Sequence, residues 1–229
     1  MTRVIVSLDE GVEMLKSTKT ALFDLDGTLV HFHHEFLYHQ TQKVVSELGH
    51  PEVCRTTLES HFSDYDFFRF VQAEDPEQFV KRFWEMFDWR GFPAPDVIPG
   101  VSEVLKSLKA EGMKLAIVTS RFVKEKDLIE ELAPTGLLEH FSFVMPRPSE
   151  DIHWTDKRDM FLEACKRFGV TADKVTIVGD TPGDIESGRD IGAANKIAVL
   201  SGGITKERLE LALPDIILPN VGHLKVISK

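Results

Sequence analysis

Cysteine is scarce in this chain, with two in 229 residues. Cys54 and Cys165 share no spacing pattern, so there is no disulfide framework to staple a small fold, and both fall in stretches that read as helices. Reduced thiols in a cytoplasmic protein are the expectation. Long apolar runs are missing as well, and none approaches the ~20 residues of a membrane span. The segment Met1 to Thr20 carries Asp9, Glu10 and Glu13 and lacks the apolar stretch of a secretion signal. Positive charge is in deficit, with a net charge of −10, which argues against a nucleic-acid or anionic-membrane partner. An anionic small molecule at a locally positive site stays open. No internal repeat or low-complexity tract interrupts the chain. What is present, 42% apolar and 28% charged residues, is ordinary globular composition. The length suffices for one compact domain with a sizeable insertion or for two small domains.

Short apolar runs recur at intervals. Ala21-Leu22-Phe23, Leu115 to Val118, Phe141 to Met145, Val175 to Val178 and Lys196 to Leu200 read as buried strands, and Asp215 to Leu218 is a weaker sixth. Each is continuous in hydrophobicity, as in a parallel sheet covered on both faces. Helical patterns separate them. Val101, Val104, Leu105 and Leu108 fall at i, i+3, i+4 and i+7, with Gly112 as a stop. Leu128-Ile129-Leu132, Met160 to Phe168 and Ile204 to Leu213 supply further helices. Strand and helix alternating in this way predict an α/β, doubly wound, Rossmann-like parallel sheet.

Residues 31–98 differ. They contain no convincing strand run, and 14 of the 21 aromatic residues fall here. Breaks near Gly49-His50-Pro51 and Asp75-Pro76 divide the segment into several helices, and Pro93-Ala94-Pro95 and Pro99-Gly100 mark its far end. The expected organisation is a core of residues 1–30 and 99–229 with an all-helical cap, 31–98, inserted between the first two sheet strands. Most of the aromatics read as a small helical core. The histidines at 31, 33, 34 and 39 offer no fixed four-ligand zinc geometry. The stretch Tyr65 to Phe70 could suggest base stacking, but the segment holds 12 acidic and 6 basic residues, a poor match to a polynucleotide backbone.

Three of the apolar runs end in polar residues suited to one reaction. They are Asp24-Leu25-Asp26-Gly27-Thr28, then Thr119-Ser120-Arg121, then Gly179-Asp180-Thr181-Pro182-Gly183-Asp184. In open parallel sheets, ligands bind beyond the carboxyl ends of the strands. Asp24, Asp180 and Asp184 together would gather negative charge that repels itself unless a cation is bound, and hard oxygen ligands with room for water suit Mg²⁺. Such a metal would offset repulsion between a carboxylate nucleophile, Asp24, and an anionic phosphate. Asp26, two residues on, points to the same side in an extended backbone and can serve as acid and then base. Thr119 and Ser120 offer hydroxyls to phosphoryl oxygens. A cation is then expected from another segment. Lys157 is preferred, in the first turn of a helix capped by Thr155, with Arg158, Arg147 and Arg121 as competitors. Thr181-Pro182 reads as an N-cap with proline at the first helical position.

On these residues the chain resembles the haloacid dehalogenase superfamily, in its phosphoglycolate-phosphatase-like branch, from Thr20 to about Leu224. The resemblance rests on the Asp24-x-Asp26-Gly-Thr-Leu segment, the insertion after it, Ile98-Pro99-Gly100-Val101, the Thr119 strand and the Asp180-x-x-x-Asp184 strand. It implies that Asp24 forms an aspartyl-phosphate and that Asp26 protonates the leaving alcohol and then activates water. It also implies Mg²⁺ held by Asp24, the Asp26 carbonyl, Asp180 and Asp184, with Thr119 and Lys157 orienting the phosphoryl group. The implied substrate is a small phosphomonoester. A sugar phosphomutase of the same architecture and a catalytically silent binding protein are the alternatives, while a dehalogenase would leave Asp26 without a task. The branch's usual Lys-Pro-x-Pro segment is absent. An ungapped match puts Thr155 in the lysine position, and a two-residue shift puts Lys157 there.

Overall fold

A computed structural model describes residues 3–8, 11–14, 18–63, 76–87, 91–148 and 156–227. The aromatic stretch Tyr65 to Phe70, Asp75 and the proposed cap Thr155 lie outside the described residues. In chain order the elements are β1 (Arg3–Leu8), β2 (Gly11–Met14), β3 (Thr20–Phe23), α1 (His34–Glu47), α2 (Arg55–Ser63) and α3 (Pro76–Met86). Then come α4 (Val101–Ala110), β4 (Lys114–Val118), α5 (Glu125–Leu132), β5 (Phe143–Met145), α6 (Arg158–Phe168) and β6 (Val175–Gly179). The chain finishes with α7 (Pro182–Asp190), β7 (Asn195–Val199), α8 (Lys206–Leu211), β8 (Ile216–Leu218) and β9 (Leu224–Ile227). They divide between two compact units, Met1–His31 with Pro95–Lys229, and Phe32–Ala94.

The first unit is built on a six-stranded sheet in the order β5-β4-β3-β6-β7-β8, with every pairing parallel. All six predicted strands are in it. Alternate residues of each strand face opposite sides, and the two sides bury different sets. Ala21, Phe23, Leu115, Ile117 and Val178 join Val101, Val104, Leu105, Leu108, Leu128 and Leu132 in one cluster. Leu22, Ala116, Val118, Val175 and Ile177 join Met160, Phe161, Ala164 and Cys165 in the other. The buried residues of α4 are the four whose spacing predicted its apolar face. Full burial of a leucine or valine is worth about 1.5–3 kcal/mol, so helices on both faces hold the sheet at the centre.

The strand order sets the position of the site. Both Ile117 and Val178 pair with Phe23, so β4, β3 and β6 end at the same level. Between β3 and β6 the chain path reverses direction across the sheet, leaving a crevice at their carboxyl ends.

Two features depart from the sequence reading. The segment before β3 forms an antiparallel hairpin, and β1 also pairs with β9, giving a second sheet in the order β2-β1-β9. Val4-Ile5-Val6 is a good strand former, but one of its two partner strands, β9, lies at the other end of the sequence. Helix α8 is shorter than the apolar stretch Ile204 to Leu213, because Thr205 caps its first turn. Leu213 lies past its end, at φ 61°.

The second unit contains α1, α2 and α3. Leu37, Val44, Val45, Val53, Leu58, Phe83 and Phe87 form its core, with Phe36, Tyr38 and Trp84 packed against them. Phe36 meets Phe87 edge-on at 6.0 Å, the geometry aromatic rings favour. Just beyond α1, Gly49 takes φ 80°, where a side chain would be strained.

Candidate active site

Asp24 is the first residue past β3, and its amide donates to the Val178 carbonyl at 2.9 Å. Its backbone therefore continues the ladder, and its side chain projects from the end of a rigid strand. The following residues wind into a turn in which the Leu25 carbonyl accepts from the amides of Thr28, Leu29 and Val30 at 3.3, 2.8 and 3.1 Å. Gly27 adopts φ 78° within it. The site also needs glycine for space, since a Cβ there would stand 2.5 Å from Asp180 Oδ2. The returning chain runs beside this turn, with Ile98 N donating to Leu29 O at 3.0 Å.

Asp180 follows β6 directly. Its Oδ1 accepts from the Thr28 hydroxyl at 2.8 Å, and its other oxygen lies against Gly202, where a Cβ would approach to 1.7 Å. Asp184 occupies the first turn of α7. Thr181 caps that helix in a reciprocal box with Asp184, and Pro182 opens it, as the sequence predicts. The Thr181 amide and hydroxyl donate to Asp184 Oδ2 at 3.1 and 2.6 Å. One donor oxygen from each of Asp24, Asp180 and Asp184 lies within 4.8 Å of the others, and all three residues are buried.

Lys157 comes to these acids from the α6 side. Its Nζ donates to Asp24 Oδ1 and to Asp184 Oδ1, both at 2.6 Å, and to the Val118 carbonyl at 3.3 Å. Its backbone position corrects the sequence reading. Helix α6 begins at Arg158, so Lys157 stands at the N-cap position and not within the first turn. Its amide is satisfied by the Ser187 hydroxyl at 2.9 Å. A lysine at this point is not a normal cap; its side chain leaves the helix end and enters the acid cluster.

The electrostatics follow from burial. Desolvation raises the Asp24 carboxyl from 3.8 to about 6, with Lys157 opposing and Asp184 and Asp26 adding to the rise. Asp180 is pushed well above the usual carboxylate range by burial and then by Asp24 and Asp184. Burial alone would pull the Lys157 ammonium down, but Asp184 and Asp24 more than reverse it, holding it above the usual lysine range. Three buried acids cluster here, and one ammonium, that of Lys157, bonds two of them. Buried charges of like sign demand a counter-charge, and an all-oxygen donor set of this kind fits a hard divalent cation.

The remaining predicted residues divide by partner. Thr119 is buried at the end of β4, its amide bonded to Met145 O at 3.0 Å and its hydroxyl accepting from the Arg121 amide at 3.3 Å. Ser120 follows it, half-buried. Asp26 does not join the other acids through its side chain. Its two oxygens accept from Arg121 Nε and Nη2, both at 2.6 Å. Of the four candidate cations, then, Lys157 meets the strand-end acids and Arg121 pairs with Asp26. Arg147 donates to the Asp156 carbonyl at 2.9 Å, and the exposed Arg158 pairs with the Asp156 carboxylate. The sequence reading did not pick out Ser201 and Gly202. The Ser201 hydroxyl donates to the Gly27 carbonyl at 2.5 Å, and no motif marks the pair, because the contact forms only when β7 lies beside β6.

A parallel sheet with buried acids at its central carboxyl ends defines an α/β protein whose candidate site lies in the strand-end crevice. The comparisons narrow this. The family model of the haloacid dehalogenase-like hydrolases matches residues 21–198, and the chain belongs to that family. It is 26% identical over 217 residues to a phosphoglycolate phosphatase of Aquifex aeolicus, covering 90% of this chain and 94% of that one. It is 25% identical over 181 residues to an N-acetylmuramic acid 6-phosphate phosphatase of Pseudomonas aeruginosa, covering 76% and 78%. A crystal structure described as a predicted phosphatase from Clostridium acetobutylicum superposes with a TM-score of 0.73 at 21% identity, covering 90% of this chain and 95% of that one. No helix among the described residues is long and apolar enough to cross a membrane.

Proposed function

We propose that this chain is a Mg²⁺-dependent phosphatase that hydrolyses a small phosphomonoester through an aspartyl-phosphate on Asp24. The observation that carries the reading is the Lys157 ammonium bridging Asp24 and Asp184 beside Asp180, at the crevice between β3 and β6. Two relatives whose names describe phosphatases of small esters support the same class.

Asp24, Asp180 and Asp184, with the Asp26 carbonyl, would hold the metal, and the Asp184 oxygens also accept from Lys157 and Thr181. When bound, a divalent ion neutralises charge on the phosphoryl group and on the carboxylate that attacks it. Lys157 holds Asp24 in one rotamer and presents positive charge beside its reacting oxygen. An Asp24 oxygen bonds to phosphorus as the ester P–O bond breaks, and the leaving oxygen takes its electron pair and a proton from Asp26. Asp26 then takes a proton from water as the water oxygen attacks phosphorus, and the electron pair of the Asp24–phosphorus bond returns to Asp24. Thr119 and Ser120 offer hydroxyls to the phosphoryl oxygens. In this reading the helical unit, Phe32–Ala94, is the cap that selects the ester.

The test is phosphate release from a broad panel of phosphorylated metabolites with and without Mg²⁺, using pure wild type, Asp24→Asn and Asp180→Asn. Mg²⁺-dependent turnover abolished in both variants is the expected result. Robust turnover by Asp24→Asn would overturn the mechanism.

A further inference from the structure

Arg121 is among the most deeply buried charged residues described, at 2% exposure, and the reaction sketched above gives it no role. Its guanidinium is held on two sides. The Nε and Nη2 edge forms a parallel fork onto Asp26 Oδ2 and Oδ1, both at 2.6 Å. Nη1 donates to Glu131 Oε1 on α5 at 2.5 Å. The backbone fixes it further, because its amide donates to the Thr119 hydroxyl and its carbonyl accepts from the Arg147 amide at 3.0 Å.

Stability does not account for this arrangement. Taking an arginine and a carboxylate out of water costs about what their attraction returns, and apolar residues of similar volume often serve as well. Two parallel N–H···O bonds supply orientation instead, fixing both the position and the rotation of a carboxyl group. Asp26 sits in a turn, beyond the end of β3, and among the described residues its side-chain hydrogen bonds are those from Arg121, which therefore set its rotamer.

We infer that Arg121 is the positioning residue for the Asp26 carboxyl, and that Glu131 positions Arg121 in turn. The inference rests on the proposed role of Asp26 as proton donor and acceptor. Arg121 itself touches neither phosphorus nor the ester oxygen. The fork, with both Asp26 oxygens accepting, is the arrangement of the carboxylate after its proton has gone to the leaving oxygen, and Arg121 holds that carboxylate in place until it takes a proton from the attacking water.

The experiment compares kcat/KM for an alkyl phosphate, whose alkoxide leaves only with a proton, and for p-nitrophenyl phosphate, whose leaving group needs none. Wild type, Asp26→Asn, Arg121→Ala, Arg121→Lys and Glu131→Gln are measured with Mg²⁺, and each variant's folding is checked by circular dichroism and melting. Arg121→Ala should lower the alkyl-ester value by about 10²-fold and the aryl-ester value by less than about tenfold, matching the pattern of Asp26→Asn. Arg121→Lys should fall between, since an ammonium supplies charge without the fork. Glu131→Gln should shift the same ratio more weakly. Equal losses on both esters, or no loss on either, in folded Arg121→Ala would overturn the inference. If that variant does not fold, Arg121→Lys carries the decision by the same ratio. Failure of Asp26→Asn to discriminate the esters would instead overturn the role of Asp26. Discrimination by Asp26→Asn but not by the Arg121 variants would sink the inference on Arg121 alone.

Discussion

Replacing Gly202 with alanine probes how tightly the second acidic strand end is built. A Cβ at this position would stand 1.7 Å from Asp180 Oδ2 and 2.4 Å from its Cγ. Real Cβ atoms essentially never approach closer than 3.0 Å, so the gap must open by 3.0 − 1.7 = 1.3 Å. The backbone of Gly202 is not in the left-handed region, so the conflict is one of space alone. Asp180 cannot retreat freely, because Thr28 holds its Oδ1 at 2.8 Å and Gly27 stands on the same side. Either the carboxylate rotates off Thr28 or the loop after β7 lifts, breaking the Ser201 bond to Gly27 O. In the proposed site Mg²⁺ would demand near-ideal geometry at about 2.0–2.1 Å from its ligands, so a displacement of this size would remove Asp180 from it. Disturbing the support of a metal ligand costs about 10–100-fold in metal affinity, and forced overpacking costs about 1–3 kcal/mol of stability. Calorimetric titration of Mg²⁺ into wild type and Gly202→Ala reads the first, and chemical denaturation of the metal-free proteins reads the second. Wild-type Mg²⁺ affinity in the alanine variant would refute the reasoning.

Lys157→Met leaves Asp24 and Asp184 facing each other in a buried site without their shared ammonium. Removing one partner of a buried ion pair costs about 3–5 kcal/mol, so metal-free urea unfolding should move well below wild type and Mg²⁺ should recover part of the loss. An unchanged midpoint would show that the contact carries no weight. The pH dependence of Asp24 has a definite sign. The folded chain keeps the Asp24 proton over a range where the unfolded chain has released it, so this group's contribution to stability falls as pH rises from 3.8 to about 6. In metal-free buffer, wild type should therefore lose stability relative to Asp24→Asn across that window, measured as the difference between their unfolding free energies. A difference that stays level or grows would contradict the buried, desolvated environment.

Much of the fold is legible because its signals are local. A continuous apolar run marks a buried strand wherever it occurs, and the spacing of Val101, Val104, Leu105 and Leu108 describes the buried face of α4 from within ten residues of sequence. Thr181-Pro182 announces the cap of α7 for the same reason. The alternation of these elements was enough to place Asp24, Thr119 and Asp180 at the ends of strands that prove to be neighbours. Pairing between β1 and β9 joins residues from opposite ends of the chain, and no local pattern encodes it.

The sequence by itself therefore determined which strand ends carry acids and that a cation must meet them. It preferred Lys157 but left Arg158, Arg147 and Arg121 as competitors, because charge and spacing do not say where a long side chain reaches. Tertiary structure decided among them: Lys157 enters the buried acids, while Arg121 turns its fork to Asp26. It also set Gly202 against Asp180. The physical reason is common to both: a buried charge takes the partner that lies within hydrogen-bond reach, and that reach is fixed only when strands and loops distant in sequence pack side by side.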